Sequence, residues 1–196
     1  VGSEMCIRDR FFPETIDKIS NELTPMVATA RKIKEDYPDA SVVFIGPCAS
    51  KKLEASRRTV RSDVDFVITF EELAGMFEAK GLLPEAVEAH DHMNDATSAG
   101  RGYGVAGGVA SAIESCIREY YPDVEVHIEH AESLTECKKM LMLAKAGKKN
   151  GCLIEGMACP GGCVAGAGTN IPIPQAVKEV TSFKNAAEEK LPSRED

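Results

Sequence analysis

The sequence predicts an α/β fold in which mostly parallel β-strands alternate with helices. Apolar, β-branched runs of strand length recur along the chain, and segments with helical spacing of apolar residues lie between them. A chain of 196 residues with 43% apolar residues can bury one sizeable core or two small lobes. The predicted strands cover residues 41–45, 64–68, 124–130 and 152–154.

Capping residues place most of the helices. Thr24, Thr69 and Ser133 each precede a helical pattern and are expected to cap it, because their hydroxyls can accept amide hydrogen bonds of the first turn. Gly81 and Gly147 are expected to end two of these helices. The predicted helices cover residues 13–19, 25–37, 70–80, 105–120, 134–146 and 174–191.

The segment 84–104 shows no clear period and is predicted to be a long irregular loop. A loop of this length is often a lid or the wall of a site. His90 and His92 within it suggest a metal, but no third ligand of plausible spacing lies nearby, so a metal site is not favoured there. The glycine-rich residues 102–109 that follow could let a helix approach a cofactor or another backbone closely.

Composition excludes several classes of function. A net charge of −8 argues against a nucleic-acid-binding surface. No apolar run approaches the roughly 20 residues of a membrane span, and the first ten residues lack the apolar segment of a secretory signal. Seven cysteines, an odd number in a chain of this size, favour a reducing cytoplasm in which cysteines act as ligands or as buried apolar side chains.

Two cysteines, Cys159 and Cys163, follow the last predicted strand in a glycine-rich loop. Gly161 and Gly162 allow the loop to curl around a compact object, and Pro160 stiffens the turn. Remaining backbone N–H groups can point at sulfide or another anion. These features suit an iron–sulfur cluster. By itself, the stretch is equally well read as a flexible connection that happens to hold two cysteines.

A third cysteine, Cys48, comes directly after the first predicted strand, where α/β proteins usually place their ligand sites. Lys51 and Glu54 follow on the same helical face. A thiolate ligand, a cation that donates hydrogen bonds to an anionic ligand, and a carboxylate that holds the cation would form a coherent set. Taken alone, a solvated Lys–Glu pair on a surface helix is the simpler interpretation.

Position at strand ends predicts that these cysteines converge. The carboxyl ends of parallel strands lie at one edge of a sheet, so Cys48 is expected to meet Cys159 and Cys163. Tetrahedral zinc is the rival, but structural zinc usually uses Cys-x2-Cys knuckles, whereas the spacing here is Cys-x3-Cys without a second knuckle. A radical-type three-cysteine motif also fails, because no further cysteine follows Cys163.

The cysteine motifs resemble those of the iron-only hydrogenases. Pro-Cys-x-x-Lys-x-x-Glu at 47–54 and Glu-x-Met-Ala-Cys-Pro-Gly-Gly-Cys at 155–163 are similar to the second and third signature motifs of that family. The glycine-rich residues 104–109 resemble the family's entry to a helix. Phe-Phe-Pro-Glu at 11–14 and Thr-Pro-Met at 24–26 resemble the sequence after its first motif.

The resemblance implies the H cluster, a 4Fe–4S cubane joined through a shared cysteine sulfur to a two-iron subcluster that bears CO, cyanide and a dithiolate bridge. By motif position, Cys48 and Cys159 are implied as cubane ligands, and Cys163 as the cubane ligand that also bridges to the two-iron unit. The implied reaction is reversible formation of hydrogen from protons and electrons.

The same resemblance implies roles for three further residues. Lys51 is expected to hydrogen-bond a cyanide, with Glu54 behind it, and Met157 to pack against the two-iron unit. Lysine suits an anionic diatomic ligand because it is a mobile point charge with three donors. The implied partners are an electron carrier such as ferredoxin and the hydrogenase maturation proteins, with no nucleic acid and no membrane.

The resemblance also predicts the domain organisation. Residues 11–173 are assigned to the C-terminal part of a two-lobed H-cluster domain, residues 1–10 to an unrelated leader, and residues 174–196 to a C-terminal helix and tail. The family's first motif, with two adjacent cysteines, is expected just before residue 11, where the lone Cys6 does not match it. With three of four expected thiolates, we expect a truncated chain that is inactive alone.

Two departures from the family pattern keep other functions open. Gly46 stands where the best-known catalytic members have methionine, and Thr24 stands where a relay serine is usual, although its hydroxyl could still pass a proton. Such changes resemble divergent branches, including hydrogen sensors that bind the same cluster and turn over poorly. A further alternative is a related assembly-factor class that carries iron–sulfur clusters without the two-iron unit.

Overall fold

A computed structural model describes residues 10–57, 62–88 and 96–193 of the chain. These residues form parallel strand pairs flanked by helices, which confirms the predicted α/β class. The strands are β1 (Val43–Ile45), β2 (Phe66–Ile68), β3 (His127–Glu132) and β4 (Cys152–Met157). The α-helices are α1 (Pro25–Asp36), α2 (Ser50–Ser56), α3 (Phe70–Ala79), α4 (Ser98–Arg101), α5 (Gly108–Tyr120), α6 (Leu134–Lys145) and α7 (Ile173–Asn185).

The strands form two separate pairs and not one sheet. Within the described residues, β1 pairs with β2 and β3 pairs with β4, both in parallel. Cys48 follows β1 and Cys159 follows β4, so the prediction that the cysteine-bearing strand ends share one sheet edge is wrong. In each pair the two strands are consecutive along the chain and one helix connects them, as in the usual parallel crossover.

The first pair is short. Each strand has three residues, whereas five were expected for each from the apolar runs. Just before the ladder, the Asp65 carboxylate accepts the amide hydrogen of Val42 at 2.7 Å, so a side chain replaces part of the backbone pairing there. That hydrogen bond, together with one from Lys34, lowers the pKa of Asp65 below its ordinary value.

The second pair is longer. Six residue pairs link its strands, and the last joins Glu132 to Met157. Strand β4, predicted to end at Ile154, therefore continues to Met157 because β3 also continues beside it. Ser133, directly after β3, caps α6 as predicted and accepts a hydrogen bond from the Glu136 amide at 3.3 Å.

The other predicted caps are also confirmed. The Thr24 hydroxyl accepts a hydrogen bond from the Val27 amide at 3.4 Å at the start of α1. At the start of α3, the Thr69 hydroxyl accepts from the Glu72 amide at 3.2 Å, and the Glu72 carboxylate accepts from the Thr69 amide at 2.8 Å. Hydrogen bonds from Lys52 and from the Thr69 amide lower the pKa of Glu72 to about 2.

The segment 84–104 is more regular than predicted. It contains the 3-10 helices Pro84–Ala86 and Gly102–Gly104, and helix α4 between them. Thr97 caps α4 by accepting an amide hydrogen bond, so a local turn residue starts a helix too short to show a period in the sequence. The predicted histidine pair lies outside the described residues.

Three other boundaries differ from the prediction. Helix α5 begins at Gly108 instead of residue 105, because Gly107 takes a positive φ of 76° and separates the helix from the turn before it. Strand β3 begins at His127, since the residues before it form a turn in which the Val124 amide bonds to the Tyr121 carbonyl at 2.9 Å. Helix α7 ends at Asn185.

Small side chains make up much of the buried apolar interior in the described part of the chain. They include six alanines of helices and strands, Ala30, Ala110, Ala112, Ala131, Ala144 and Ala176, and the larger Met26 and Val27 are also buried. Larger apolar side chains such as Val43, Ile45 and Phe66, on one face of the first strand pair, are exposed. Among the described helices, none has the length and apolar character needed to cross a membrane.

Candidate metal centre

The second cysteine motif forms the turn between β1 and α2. The Gly46 amide still bonds to the Ile68 carbonyl of the neighbouring strand at 3.1 Å, so the backbone is fixed up to that point. The Cys48 carbonyl then accepts the Lys51 amide at 3.3 Å as the chain turns into the helix. Cys48 is half-buried. The strand therefore delivers the thiol to a defined position at the start of α2.

Lys51 and Glu54 form a largely buried ion pair instead of the solvated surface pair that was the simpler interpretation. Their side chains approach to 2.7 Å and are 16% and 5% exposed, respectively. The second carboxylate oxygen of Glu54 accepts a hydrogen bond from the Thr24 hydroxyl at 2.6 Å. Both oxygens of this buried carboxylate thus have a donor, as a buried charge requires.

The third cysteine motif begins where β4 ends. Met157 is buried, and its carbonyl accepts the Ser133 amide at 2.9 Å. Beyond it, the Gly162 amide bonds to the Cys159 carbonyl at 2.9 Å and closes a tight turn. Gly161 and Gly162 have positive φ angles of 93° and 95°, which confirms that the loop uses backbone angles that favour glycine.

Several amides of this loop are used within the protein. The Gly161 amide donates to a Glu132 carboxylate oxygen at 2.8 Å. The Ala165 amide donates to the Gly162 carbonyl and the Gly166 amide to the Cys163 carbonyl, both at 3.0 Å. The Gly161 amide therefore points at a carboxylate of the protein, and turn closure engages the Ala165 and Gly166 amides. That other N–H groups of the loop point at an anionic ligand stays a prediction.

Glycine packing brings the cysteine loop against the second motif. A Cβ at Gly166 would lie 2.3 Å from the Pro47 carbonyl oxygen, so only glycine fits there. The Gly168 amide donates a hydrogen bond to the same oxygen at 2.9 Å. Because Cys48 directly follows Pro47, the segments that carry the three cysteines are in contact although they belong to different strand pairs.

The same loop packs against the glycine-rich turn before α5. A Cβ at Gly162 would lie 2.4 Å from the Ala106 amide nitrogen and 2.7 Å from the Gly104 carbonyl oxygen. The Ala106 amide also donates to the Gly161 carbonyl at 3.2 Å. The two motifs and the glycine-rich segment noted in the sequence thus form one contiguous backbone assembly.

The three cysteines of the motifs differ in exposure. Cys48 and Cys159 are half-buried and Cys163 is exposed. Within residues 10–57, 62–88 and 96–193, no three His, Cys, Asp or Glu side chains lie close enough to hold a single metal ion. A cubane makes a different demand, because each of its irons takes its own thiolate. The ligand assignment of Cys48, Cys159 and Cys163 stays a prediction.

Two carboxylates that support the site were given no role in the sequence analysis, although Glu155 opens the third motif. Glu132 holds the Gly161 amide, and Glu155 accepts a hydrogen bond from the Val109 amide in the first turn of α5 at 3.0 Å. The other oxygen of Glu155 is buried without a hydrogen-bond partner among the described residues. The register of β3 and β4 places both residues near the strand ends, but that register cannot be read from one sequence.

This fold and site define an α/β protein in which cysteine-bearing loops after two parallel strands meet on a glycine-rich framework. The family of the iron-only hydrogenase large subunit, C-terminal domain, matches residues 4–167. The chain belongs to this family, which confirms the resemblance seen in the cysteine motifs. The predicted domain boundaries stay a prediction.

Curated relatives include two bacterial hydrogenases. Iron hydrogenase 1 of Clostridium pasteurianum is 28% identical over 215 residues, which cover 88% of this chain and 37% of the relative. The periplasmic Fe hydrogenase large subunit of Nitratidesulfovibrio vulgaris is 28% identical over 204 residues, which cover 82% of this chain and 48% of the relative. The chain thus spans between about a third and a half of the length of these relatives.

Solved structures show the same fold. A variant of the FeFe-hydrogenase HydA1 from Chlamydomonas reinhardtii superposes with a TM-score of 0.69 at 20% identity, covering 98% of this chain and 66% of that chain. The apo form of another HydA1 variant gives a TM-score of 0.71 at 20% identity with the same coverage.

Proposed function

We propose that this chain binds the H cluster and contributes to reversible reduction of protons to hydrogen, as part of an assembly in which further polypeptide supplies the rest of the domain. Cys48, Cys159 and Cys163 are the residues that would hold the cluster, and Cys163 is the one that would serve both its cubane and its two-iron part. The observation that carries this proposal is the contact of the cysteine loop with Pro47, at 2.9 Å from the Gly168 amide nitrogen to the Pro47 carbonyl oxygen.

The residues present fit such a group. Thiolates are the ligands that iron–sulfur clusters use, and three of them lie on segments in mutual contact. Glycines at 162 and 166 keep the loop free of side chains at the points where it packs on other backbone, so the loop's shape is fixed by close contacts. When bound, the cluster would relay electrons received from an external carrier and would supply iron for the reduction of protons.

Lys51 supplies positive charge beside the cysteine motif. Its ammonium group donates one hydrogen bond to Glu54 at 2.7 Å, and lysine has three donors, so two remain for an anionic ligand of the cluster. With a side chain that is 16% exposed, the charge is shielded from water and acts more strongly than it would at the surface. Glu54 holds the ammonium, and the buried Met157 closes the apolar side of the site.

Hydrogen sensing with the same cluster is the second candidate, and Gly46 favours it. A Cβ at this position would lie 3.0 Å from the Phe44 ring, which occupies the space beside the glycine. A methionine there would need the ring to move. The packing next to the two-iron unit therefore differs from that of the best-known catalysts, and a changed pocket is compatible with slow turnover.

The partners and location follow from this proposal. A ferredoxin-like carrier exchanges electrons with the cubane, and hydrogenase maturation proteins insert the two-iron subcluster. The cytoplasm is the proposed location, because an odd number of cysteines in a chain of this size favours a reducing compartment. Cys163 is exposed, so maturation proteins could deliver a subcluster to it from solution.

Infrared spectroscopy tests the proposal directly. The chain, produced anaerobically with the maturation proteins and with the missing part of the domain supplied by a relative, should show bands of metal-bound CO and cyanide. Cys163→Ser should abolish these bands, whereas Cys116→Ser, on helix α5, should keep them. Bands without hydrogen turnover would favour the sensor. Iron and sulfide without bands would leave a plain iron–sulfur protein and overturn the proposal.

Reconstitution with iron and sulfide tests the ligand count of the 196-residue chain itself. Because the motif-matched cysteines provide three thiolates, the cluster should be labile and incomplete. Cys48→Ser, Cys159→Ser and Cys163→Ser should each reduce the iron and sulfide bound, and Cys152→Ser should not. A stable, fully occupied cubane would show that Cys6, which lies outside the described residues, or another group completes the shell.

A further inference from the structure

The side chains of Thr24, Glu54 and Lys51 form a buried hydrogen-bond network that joins helix α1 to the second cysteine motif. The Thr24 hydroxyl donates to Glu54 at 2.6 Å, and the Glu54 carboxylate accepts from the Lys51 ammonium at 2.7 Å. Thr24 and Glu54 are 8% and 5% exposed. Thr24 is the N-cap residue of α1, whereas the other two residues belong to α2, so the network ties two separate helices together.

Of the three side chains in this network, that of Thr24 has the least conformational freedom. Its hydroxyl oxygen accepts the Val27 amide as the helix cap, and its backbone carbonyl accepts the Ala28 amide at 2.9 Å. A β-branched side chain also has few rotamers. The single hydroxyl proton is committed to Glu54, so the direction of this hydrogen bond is fixed.

Glu54 and Lys51, in contrast, have long side chains with several rotatable bonds. A pair of such residues three positions apart on a helix is ordinarily mobile and weakly coupled. The hydrogen bond from Thr24 fixes one carboxylate oxygen of Glu54, and because the carboxylate is rigid, its other oxygen is fixed as well. The Lys51 ammonium, which donates to that other oxygen, is thereby held in place. The Lys51 backbone is fixed as well, because its amide donates to the Cys48 carbonyl at 3.3 Å.

We propose that Thr24 is a positioning residue that sets the location of the Lys51 ammonium through Glu54. This inference rests on the proposed function for its catalytic meaning, since Lys51 is the group that would meet a diatomic ligand of the cluster. The positioning of Lys51 itself involves only side chains of this protein and does not require a bound cluster. Thr24 acts in this proposal by holding a hydrogen bond in place, and transfers no proton.

Chemical modification of Lys51 tests the positioning without any cluster. The 196-residue chain is treated with limiting acetic anhydride at pH 8, and acetylation of Lys51 is measured by mass spectrometry against the neighbouring Lys52. Thr24→Gly removes the donor while glycine remains an acceptable helix cap. The Lys51 to Lys52 ratio should rise about fivefold, the effect of losing one ordinary hydrogen bond. Thr24→Ser should leave the ratio unchanged.

Two further variants keep the test decisive. Thr24→Val removes the hydroxyl and keeps the branched shape of the side chain, so it should raise the ratio even if the glycine variant folds poorly. In a Glu54→Gln background, Thr24→Gly should add little, because its effect passes through Glu54. An unchanged Lys51 ratio in folded Thr24→Gly or Thr24→Val would overturn the inference.

The matured assembly provides the second readout. If the proposed function holds, Thr24→Gly should shift or broaden the cyanide bands that the unmodified protein shows, and Thr24→Ser should not. Unshifted bands in Thr24→Gly would also overturn the inference. Bands absent from the unmodified protein, together with a raised Lys51 ratio in Thr24→Gly, would refute the proposed function and leave the positioning of Lys51 supported.

Discussion

The two strand pairs hold their cysteines by different physical means. After β1, the position of Cys48 depends on short strands of three residues and on polar side chains, with a largely buried Lys51–Glu54 pair at its centre. After β4, the cysteine loop follows six-residue strands and is fixed by glycine backbone in close contact with other backbone. One half of the site is thus sensitive to charge, and the other to added volume.

The contrast shows how two strand pairs that share no sheet can support one site. Charged side chains tolerate small shifts of the backbone but need their partners, since an unpaired buried charge is costly. Glycine contacts need no partner but tolerate no added atom. The two means meet at Pro47, whose carbonyl belongs to the first region and accepts the Gly168 amide of the second.

The largest expected effect comes from adding one methyl group to the cysteine loop. Gly162→Ala places a Cβ within 2.4 Å of the Ala106 nitrogen at a φ of 95°. Strain at this backbone angle and the forced shift of the facing turn should together lower the free energy of unfolding by about 3 kcal/mol. Urea denaturation followed by circular dichroism measures it.

Gly151→Ala is the matched control for that substitution. Gly151 has a φ of 78°, but a Cβ there would meet no heavy atom within 4 Å. It should cost only the strain of a left-handed alanine, about 1 kcal/mol. Equal losses in the two variants would mean that the contact with the turn before α5 contributes nothing.

A smaller effect is expected from removing a charge in the first region. Lys51→Met keeps the length of the side chain and leaves one oxygen of the buried Glu54 without its donor, so the free energy of unfolding should fall by about 2 kcal/mol. Lys52→Met removes the neighbouring lysine, whose partner Glu72 is exposed, and should change stability far less. If both variants lose the same stability, the buried pair is not special.

The smallest effect concerns the pH dependence of the first region. The pKa of Glu72 is lowered from 4.5 to about 2, so its ionised form stabilises the fold. This contribution is complete above pH 4.5 and is lost as the pH falls towards 2. Glu72→Gln should therefore be less stable than the unmodified chain at neutral pH, and the difference should shrink below pH 4.5.

Urea midpoints of both proteins at a series of pH values check this prediction. A difference that stays constant as the pH falls would mean that the effect of Glu72 comes from its hydrogen bond to the Thr69 amide in either protonation state, and not from its charge.

Local signals in the sequence predicted local structure well. The caps at Thr24, Thr69 and Ser133 follow from side chains that bond within three residues, so no other part of the chain needed to be known. Strand ends were predicted less well. Strand β4 extends to Met157 because β3 lies beside it, and β1 is shortened where the Asp65 side chain replaces a backbone partner.

The candidate site was predictable in its parts more than in its assembly. Lys51 and Glu54 are three residues apart on a helix, so their pairing follows from the sequence, although their burial does not. The contact between Gly166 and Pro47 joins residues far apart in the chain, and no residue spacing or hydrophobic period in the sequence predicts it. A shared sheet edge was the expected route to convergence, whereas glycine packing between two separate strand pairs is the observed one.

The aromatic ring beside Gly46 has a consequence for engineering. Phe44 and Gly46 lie two positions apart, and the ring sits 3.0 Å from where a side chain at 46 would start. The two positions are therefore coupled, because a side chain at 46 needs the Phe44 ring to shift by a few tenths of an ångström. Gly46→Met should lose less stability in a Phe44→Ala background than in the unmodified chain, and the difference between the two losses measures how strongly the ring resists that shift.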